Sequence, residues 1–308
     1  MRNIFSQQIY KNSQKNKKIY VVAADISPAG SMEKFRKKYP DRFINVGVAE
    51  QSMISTCAGL AIEGKKPFAY TIAAFSVYRP FEMIRNDVCL QNLPVTIIGM
   101  GAGTIYSTLG STHLTQEDIS VLRSIPNMKI VSPCEPREMI EAVNYCIKHS
   151  KSPTYLRIGK AGEKNFSDYK SEKFKFGKIR RLTKGKKICI LVHGILVKKA
   201  YEIKNILKKN KINISIYSCH TLKPFDSKRL RTIFKNYKLI VSLEDHSIVG
   251  GLTNIIKNLA FDEKYSGKIL GYSLKDEFLN CYGSHDDLLK LHGIEVNKIS
   301  KDIKNGIL

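Results

Sequence analysis

A chain of 308 residues with 43% hydrophobic content is long enough for two medium-sized domains, each with its own core. No apolar run approaches the roughly 20 residues of a membrane-crossing helix. The start, Met1-Arg2-Asn3-Ile4-Phe5, has no signal-peptide core, so a cytoplasmic protein without a membrane partner is expected. The formal charge of +24 is mostly lysine, interleaved with Ile and Asn through both halves and densest from Lys173 to Lys187. Nucleic-acid binders gather Lys and Arg on one face of a recognisable module, so no nucleic-acid partner is expected. Seven cysteines without a Cys-x-x-Cys pair read as free buried thiols rather than disulfides or a zinc site.

Residues 1–20 predict a helix followed by a polar turn. Ile19 to Ala24 suits a first parallel strand, ending in the loop Asp25-Ile26-Ser27-Pro28. Phe43 to Val48 reads as a short buried strand. From Glu50 the pattern changes: Met53, Ile54, Cys57, Ala58, Leu60 and Ala61 recur at helical spacing up to Gly64. Glu50 thus stands where a strand hands over to a helix, at the carboxyl edge of a parallel sheet, where open α/β sheets place ligands. The simpler reading is an acid complementing a helix dipole.

Pro67 to Ile72 is the next strand. After it, Phe75, Tyr78 and Phe81 lie three apart and share one aromatic face, of core or of pocket. Leu93 to Met100 is a strand running into Gly99-Met100-Gly101-Ala102-Gly103-Thr104. This is no dinucleotide loop, because Thr104 replaces the last glycine and no helix opens there. The loop continues to His113, placed either on the surface or against a substrate. A helix over Glu117–Arg123, a strand over Met128–Ser132, a helix over Pro136–His149 and the segment Ser152–Gly159 close a first domain over residues 1–162. Residues 163–180 are polar and read as a linker. A second unit over 181–308 follows. It has strands at Lys187–Val192, Ile212–Cys219 and Leu239–Leu243, a helix at Val197–Lys208 and a loop at His220–Asp226. The class is α/β, with two open, mostly parallel sheets flanked by helices.

Four short runs carry a resemblance: Pro40-Asp41-Arg42-Phe43, Asn45-Val46-Gly47, Ala49-Glu50-Gln51 and Ala58-Gly59-Leu60-Ala61. They resemble the pyrimidine-binding domain of thiamin-diphosphate enzymes of the transketolase family. Arg123-Ser124-Ile125-Pro126-Asn127-Met128 and Ser152-Pro153-Thr154-Tyr155-Leu156-Arg157 are similar to the same domain. Glu244-Asp245-His246-Ser247-Ile248-Val249-Gly250-Gly251 is similar to the family's C-terminal domain. The resemblance implies a thiamin-diphosphate-binding fold followed by a Rossmann-like C-terminal domain that supports the dimer, which leaves His220, Glu244 and His246 outside the chemistry. It implies that Glu50 bonds a ring nitrogen of the cofactor's aminopyrimidine. Phe75 would stack on that ring, with Tyr78 and Phe81 supporting the pocket. Asp25 would join a polar network at the subunit interface, His113 would contact the donor near the reacting carbons, and Arg157 and Arg2 would reach substrate or phosphate.

The resemblance covers only the second half of the full-length enzyme. The other half carries a Gly-Asp-Gly motif that holds Mg²⁺ and the diphosphate, and no Gly-Asp-Gly occurs here. The expectation is one subunit of a split transketolase, joined to an N-terminal diphosphate-binding subunit and paired into a dimer of heterodimers. It would move a two-carbon ketol unit from a ketose donor to an aldose acceptor. The alternatives are a 1-deoxyxylulose-5-phosphate synthase-like condensation of pyruvate with an aldehyde, and a non-catalytic assembly subunit. Three departures bear on the substrate. Leu109 stands where the sugar enzyme has an Asp reading the donor's hydroxyl, Ala29 where it has a phosphate-binding Ser, and Gly101 where it has a phosphate-binding His.

Overall fold

A computed structural model of the chain describes residues 1–26, 30–160, 162–168 and 171–306. In the first domain the strands are β1 (Ile19–Ala23), β2 (Phe43–Asn45), β3 (Lys66–Ile72), β4 (Thr96–Met100), β5 (Lys129–Val131) and β6 (Thr154–Ile158). The second domain supplies β7 (Arg180–Thr183), β8 (Lys187–Val192), β9 (Ser215–Ser218), β10 (Thr221–Lys223), β11 (Tyr237–Ser247) and β12 (Lys268–Leu274). The first sheet has the order β10-β5-β6-β4-β3-β1-β2 and is parallel except for β10. The second has the order β12-β11-β8-β9-β7 and is parallel except for β7.

The central strands are apolar along their length because helices cover both faces. All five residues of β4 and of β6 are buried. One core layer packs Met53, Ile54 and Cys57 of the helix Glu50–Ile62 against Val22, Ala69 and Ile97. The opposite layer packs Phe5 and Ile9 of the helix Arg2–Ser13 with Phe68, Tyr70 and Met139.

Three elements differ from the sequence-based expectation. β2 stops at Asn45 rather than Val48. The Asn45 side chain turns back to accept the backbone N–H groups of Asp25 and Gly47, and Gly47 takes φ +73°. The expected loop after His220 contains β10, which crosses to the first domain and pairs antiparallel with β5. Without it β5 would be an open edge. β11 runs on through Glu244, Asp245 and His246, which are buried in spite of their polarity.

For Asp245 and His246 that burial is explained by the joint between the domains, whereas Glu244 is satisfied by Leu252, Thr253 and Ser273 of its own domain. The Arg157 guanidinium donates to Asp118 at 2.8 Å, to the Asp245 carboxylate at 2.8 Å and to the Asp245 carbonyl at 2.9 Å. Tyr155 adds a hydroxyl bond to Asp118 at 2.7 Å. Burial works against the Arg157 charge, but the two carboxylates more than offset it and hold the guanidinium firmly protonated. A second network joins Arg180 to Glu135 at 2.7 Å and to Glu138 at 2.9 Å. The intervening chain is packed as well: Phe174 stacks on His220 and Phe176 on Tyr145.

Removing one partner of a buried ionic network strands the opposite charges. Arg157→Met is expected to cost about 3–5 kcal/mol in urea unfolding. The triple variant Arg157→Met, Asp118→Asn, Asp245→Asn should recover most of that loss. A single variant as stable as the parent would contradict the joint.

Candidate active site

Three strands of the first sheet, the adjacent β3 and β4 and the edge strand β2 beyond β1, bring the expected residues to one edge. The chain leaves β2 through Gly47 and enters the helix Glu50–Ile62, so Glu50 occupies its first turn. It leaves β3 straight into the short helix Ala73–Val77, which carries Phe75. It leaves β4 through the loop that ends in the single turn Ser111–His113.

The Glu50 side chain is 4% exposed. A buried carboxylate requires a partner, and here that partner is Arg79. Its Nη1 donates to Oε1 at 3.2 Å and to Oε2 at 3.0 Å. The same guanidinium lies over the Phe75 ring, 4.8 Å from its centroid. Arg79 follows Phe75 by four positions, the spacing that aligns side chains on one helical face. Phe75 also meets the His113 ring edge-on, with centroids 5.1 Å apart and planes at 74°. Thr112 bonds His113 Nδ1 at 3.0 Å. Glu50, Arg79, Phe75 and His113 therefore form one contiguous cluster.

The second domain braces the His113 loop. Gly103 and Thr115 close the loop's base through two 3.0 Å backbone bonds. Thr104 bonds His285 at 2.9 Å, Ser111 donates to the Leu279 carbonyl, and Leu114 packs with Leu279 and Leu288. A Cβ on Gly110 would meet the Tyr282 ring at 2.9 Å.

The remaining expected residues separate. Tyr78 stands beside the cluster and donates to Glu117 at 2.6 Å. Burial, with the Asp118 and Glu117 carboxylates nearby, pushes its phenol well up, so the hydroxyl stays a donor. Phe81 is partly buried and packs against the core layer that contains Met53, Ile54 and Cys57 of the Glu50 helix. Asp25 is exposed at the end of β1 with φ +40°, at the same sheet edge. Arg2 is half-buried near Tyr70 and Tyr106 on the opposite side of the sheet. Arg157 does not present a phosphate-binding face: it is 3% exposed and committed to Asp118 and Asp245.

Of the three departures, Leu109 is 47% exposed on the His113 loop. Gly101 has φ +67°, and any side chain there would collide with the Tyr106 ring. The histidine expected at that position therefore has no space on this backbone. Ala29 lies outside the described residues. Sequence reasoning missed Arg79, although its spacing from Phe75 was the available signal. It also missed Asp118, whose partners come from distant strands.

Residues 1–162 match the family model for the transketolase pyrimidine binding domain, and residues 177–299 that for the transketolase C-terminal domain. A protein of Methanocaldococcus jannaschii named for a transketolase C-terminal section is 33% identical over 304 residues, 98% of this chain and 95% of that protein. The 1-deoxy-D-xylulose-5-phosphate synthase of Caldanaerobacter subterraneus subsp. tengcongensis is also 33% identical, but this chain spans only 48% of its length. Among solved structures, a split gene transketolase described as an inactive beta4 tetramer superposes with a TM-score of 0.88 at 29% identity, over 99% of this chain and 97% of that one. Matched over both domains and sharing a single arrangement of them, the chain belongs to the transketolase family.

Proposed function

We propose that this chain is the C-terminal subunit of a thiamin-diphosphate-dependent transketolase, active only with a separate diphosphate-binding subunit. The observation that carries the reading is the pairing of a buried Glu50 carboxyl with the Phe75 ring face at one sheet edge. The pair suits the cofactor's aminopyrimidine, because a flat N–H-bearing group, the Arg79 guanidinium, already lies over Phe75 and bonds Glu50. Glu50 and Phe75 would hold that ring, with Tyr78 beside them and Asp25 at the interface with the partner. When bound, the cofactor supplies a carbanion-forming carbon and a sink for its electrons.

This chain's residues set protonation and orientation. Glu50 shares a proton with the ring nitrogen through its carboxyl oxygens. Phe75 fixes the plane of the ring, a contact worth about 0.5–1.5 kcal/mol beyond area burial. His113, held through Nδ1 by Thr112, offers its other ring nitrogen to a donor oxygen. The brace from the second domain keeps that nitrogen in place, which matters because small misplacements cost large rate factors.

Mg²⁺ and the diphosphate are assigned to the partner, since no Gly-Asp-Gly occurs in this sequence. Two relatives matched over nearly their whole length, one named a C-terminal section and the other a split gene product, support a two-chain enzyme. A dimer of such pairs is the assembly proposed. Seven unpaired cysteines, six of them buried, support a reducing, cytoplasmic setting. Clustering of Glu50, Phe75 and His113 argues against a purely architectural subunit. The synthase relative at 33% identity keeps pyruvate in view as a donor.

Calorimetric titration of the chain by itself with thiamin diphosphate and Mg²⁺ should show no binding in the micromolar range. Tight binding without a partner would overturn the two-chain reading.

The donor follows from Leu109 and Gly101. A site that hydrogen-bonds a hydroxyl can discriminate by ~10⁴–10⁵, whereas apolar contacts discriminate far less. The reconstituted enzyme should therefore accept several ketoses within about 10²-fold of one another. Phosphorylated and unphosphorylated ketoses, hydroxypyruvate and pyruvate form the panel. A preference for xylulose 5-phosphate by several orders of magnitude would contradict the expectation. Turnover of pyruvate alone would replace ketol transfer with the synthase reaction.

A further inference from the structure

The proposed ring site already has an occupant. Glu50 offers two carboxylate oxygens, and Arg79 Nη1 takes both, at 3.2 and 3.0 Å. The Arg79 guanidinium lies over the Phe75 ring, 4.8 Å from its centroid. His113 meets the same ring edge-on, 5.1 Å away. A guanidinium is planar, carries N–H donors and stacks on aromatic faces. An aminopyrimidine has the same three properties. A ring bonded to Glu50 and stacked on the face of Phe75 that Arg79 covers would overlap the guanidinium.

We propose that Arg79 is an internal occupant of the pyrimidine site: in the free chain its guanidinium keeps Glu50 paired and Phe75 covered, and it swings outward before the ring enters. This rests on the reading of Glu50 and Phe75 as the ring site. The geometry allows the swing. The Arg79 side chain is 49% exposed on its outer side, whereas Glu50 is 4% exposed beneath it. Both bonds to the carboxylate come from a single nitrogen, not from the two-nitrogen fork that makes arginine–carboxylate pairs strong. Arg79 also lies beyond the last residue of the short helix Ala73–Val77 and directly before Pro80, so its side chain can move without breaking a helix.

The occupant serves two physical purposes. It prevents a buried carboxylate from standing unpaired in a chain that lacks the cofactor. It also lowers the apparent affinity of the half-site by the fraction of time the site is closed. A half-exposed ion pair together with a cation–π contact closes such a site by about a factor of ten. Ring capture is thereby tied to assembly, when the partner's contacts to the rest of the cofactor outweigh the closure.

The test titrates the full chain with 4-amino-2-methylpyrimidine, the ring without its diphosphate, and follows binding by ligand NMR. Arg79→Ala should bind the ring about tenfold more tightly than the parent. Arg79→Lys, which keeps the charge but loses the planar stack, should lie between the two. The double variant Arg79→Ala, Glu50→Gln should lose the gain. Thermal melting checks that each variant is folded, and Arg79→Met provides a second removal of the guanidinium that keeps the length of the side chain. If Arg79→Ala and Arg79→Met bind the ring only as well as the parent, and binding still requires Glu50, the occupant is disproved while the ring site stands. Weaker binding by both variants would also overturn the proposal, making Arg79 a ligand contact. If no folded variant binds the ring, both the occupant and the ring site fail.

Discussion

A carboxylate buried at the start of a helix cannot be left alone, and the architecture around Glu50 follows from that constraint. The strand-to-helix turn after β2 places Glu50 at the sheet edge. The direct passage from β3 into the helix Ala73–Val77 puts Phe75 beside it. Arg79 supplies the counter-charge from the outer side, half in solvent, where it can be exchanged for another group. The result is a polar and aromatic cluster that joins the first turn of the helix Glu50–Ile62 to the His113 loop. Under the proposed function these residues would supply a proton partner, a flat wall and one imidazole.

The second sheet differs from the first at its strand ends. After β8 the chain turns to β9 on one side and later to β11 on the other, so the strand order reverses between β8 and β11. Open α/β sheets place ligands at such a reversal. Here the ends of those strands are filled. Glu244 accepts the backbone N–H groups of Leu252 and Thr253, and Asp245 is tied to Arg157 of the first domain. Burial alone would favour a neutral Glu244, but His193 and His246, together with the Thr253 N–H, bring its pKa down to about 2. Asp245 and His246 are consumed in the joint, and Glu244 by the start of the helix Leu252–Asp262 and by Ser273 within the second domain. The same joint, through Thr104, Ser111 and Leu114, steadies the loop that carries His113.

Much of this was legible from residues alone, and the exceptions have physical causes. The apolar runs of β1, β3 and β4 and the 3.6-residue pattern after Glu50 announced parallel strands and a helix, because both faces of the sheet are covered. The cluster of Glu50, Phe75 and His113 was reached through family-like motifs, and the structure brings all three to one edge. Arg157 read as a substrate or phosphate contact because of the family resemblance of the segment that carries it. Its actual partner, Asp245, lies 88 positions away, beyond any local pattern. The β10 crossover was hidden because three residues give no period. The π-helical segment Ile84–Leu90 was hidden because its pattern mimics an ordinary helix. Phe81 shared a three-residue spacing with Phe75 and Tyr78, yet the chain turns at Pro80 before the stripe can continue on one face.

The central claim is that the Glu50 carboxyl exchanges a proton with the cofactor ring. The most direct measurement is the rate of deuterium exchange at the thiazolium carbon in the enzyme reconstituted with its diphosphate-binding partner, comparing the parent with Glu50→Gln. The substitution keeps the shape and removes the titrating group. The account predicts that exchange slows by ~10²–10⁴, the usual contribution of a positioned acid–base group, with turnover falling in parallel. Exchange at the parent rate in a folded, cofactor-loaded variant would contradict it and leave Glu50 as a helix-start acid paired with Arg79.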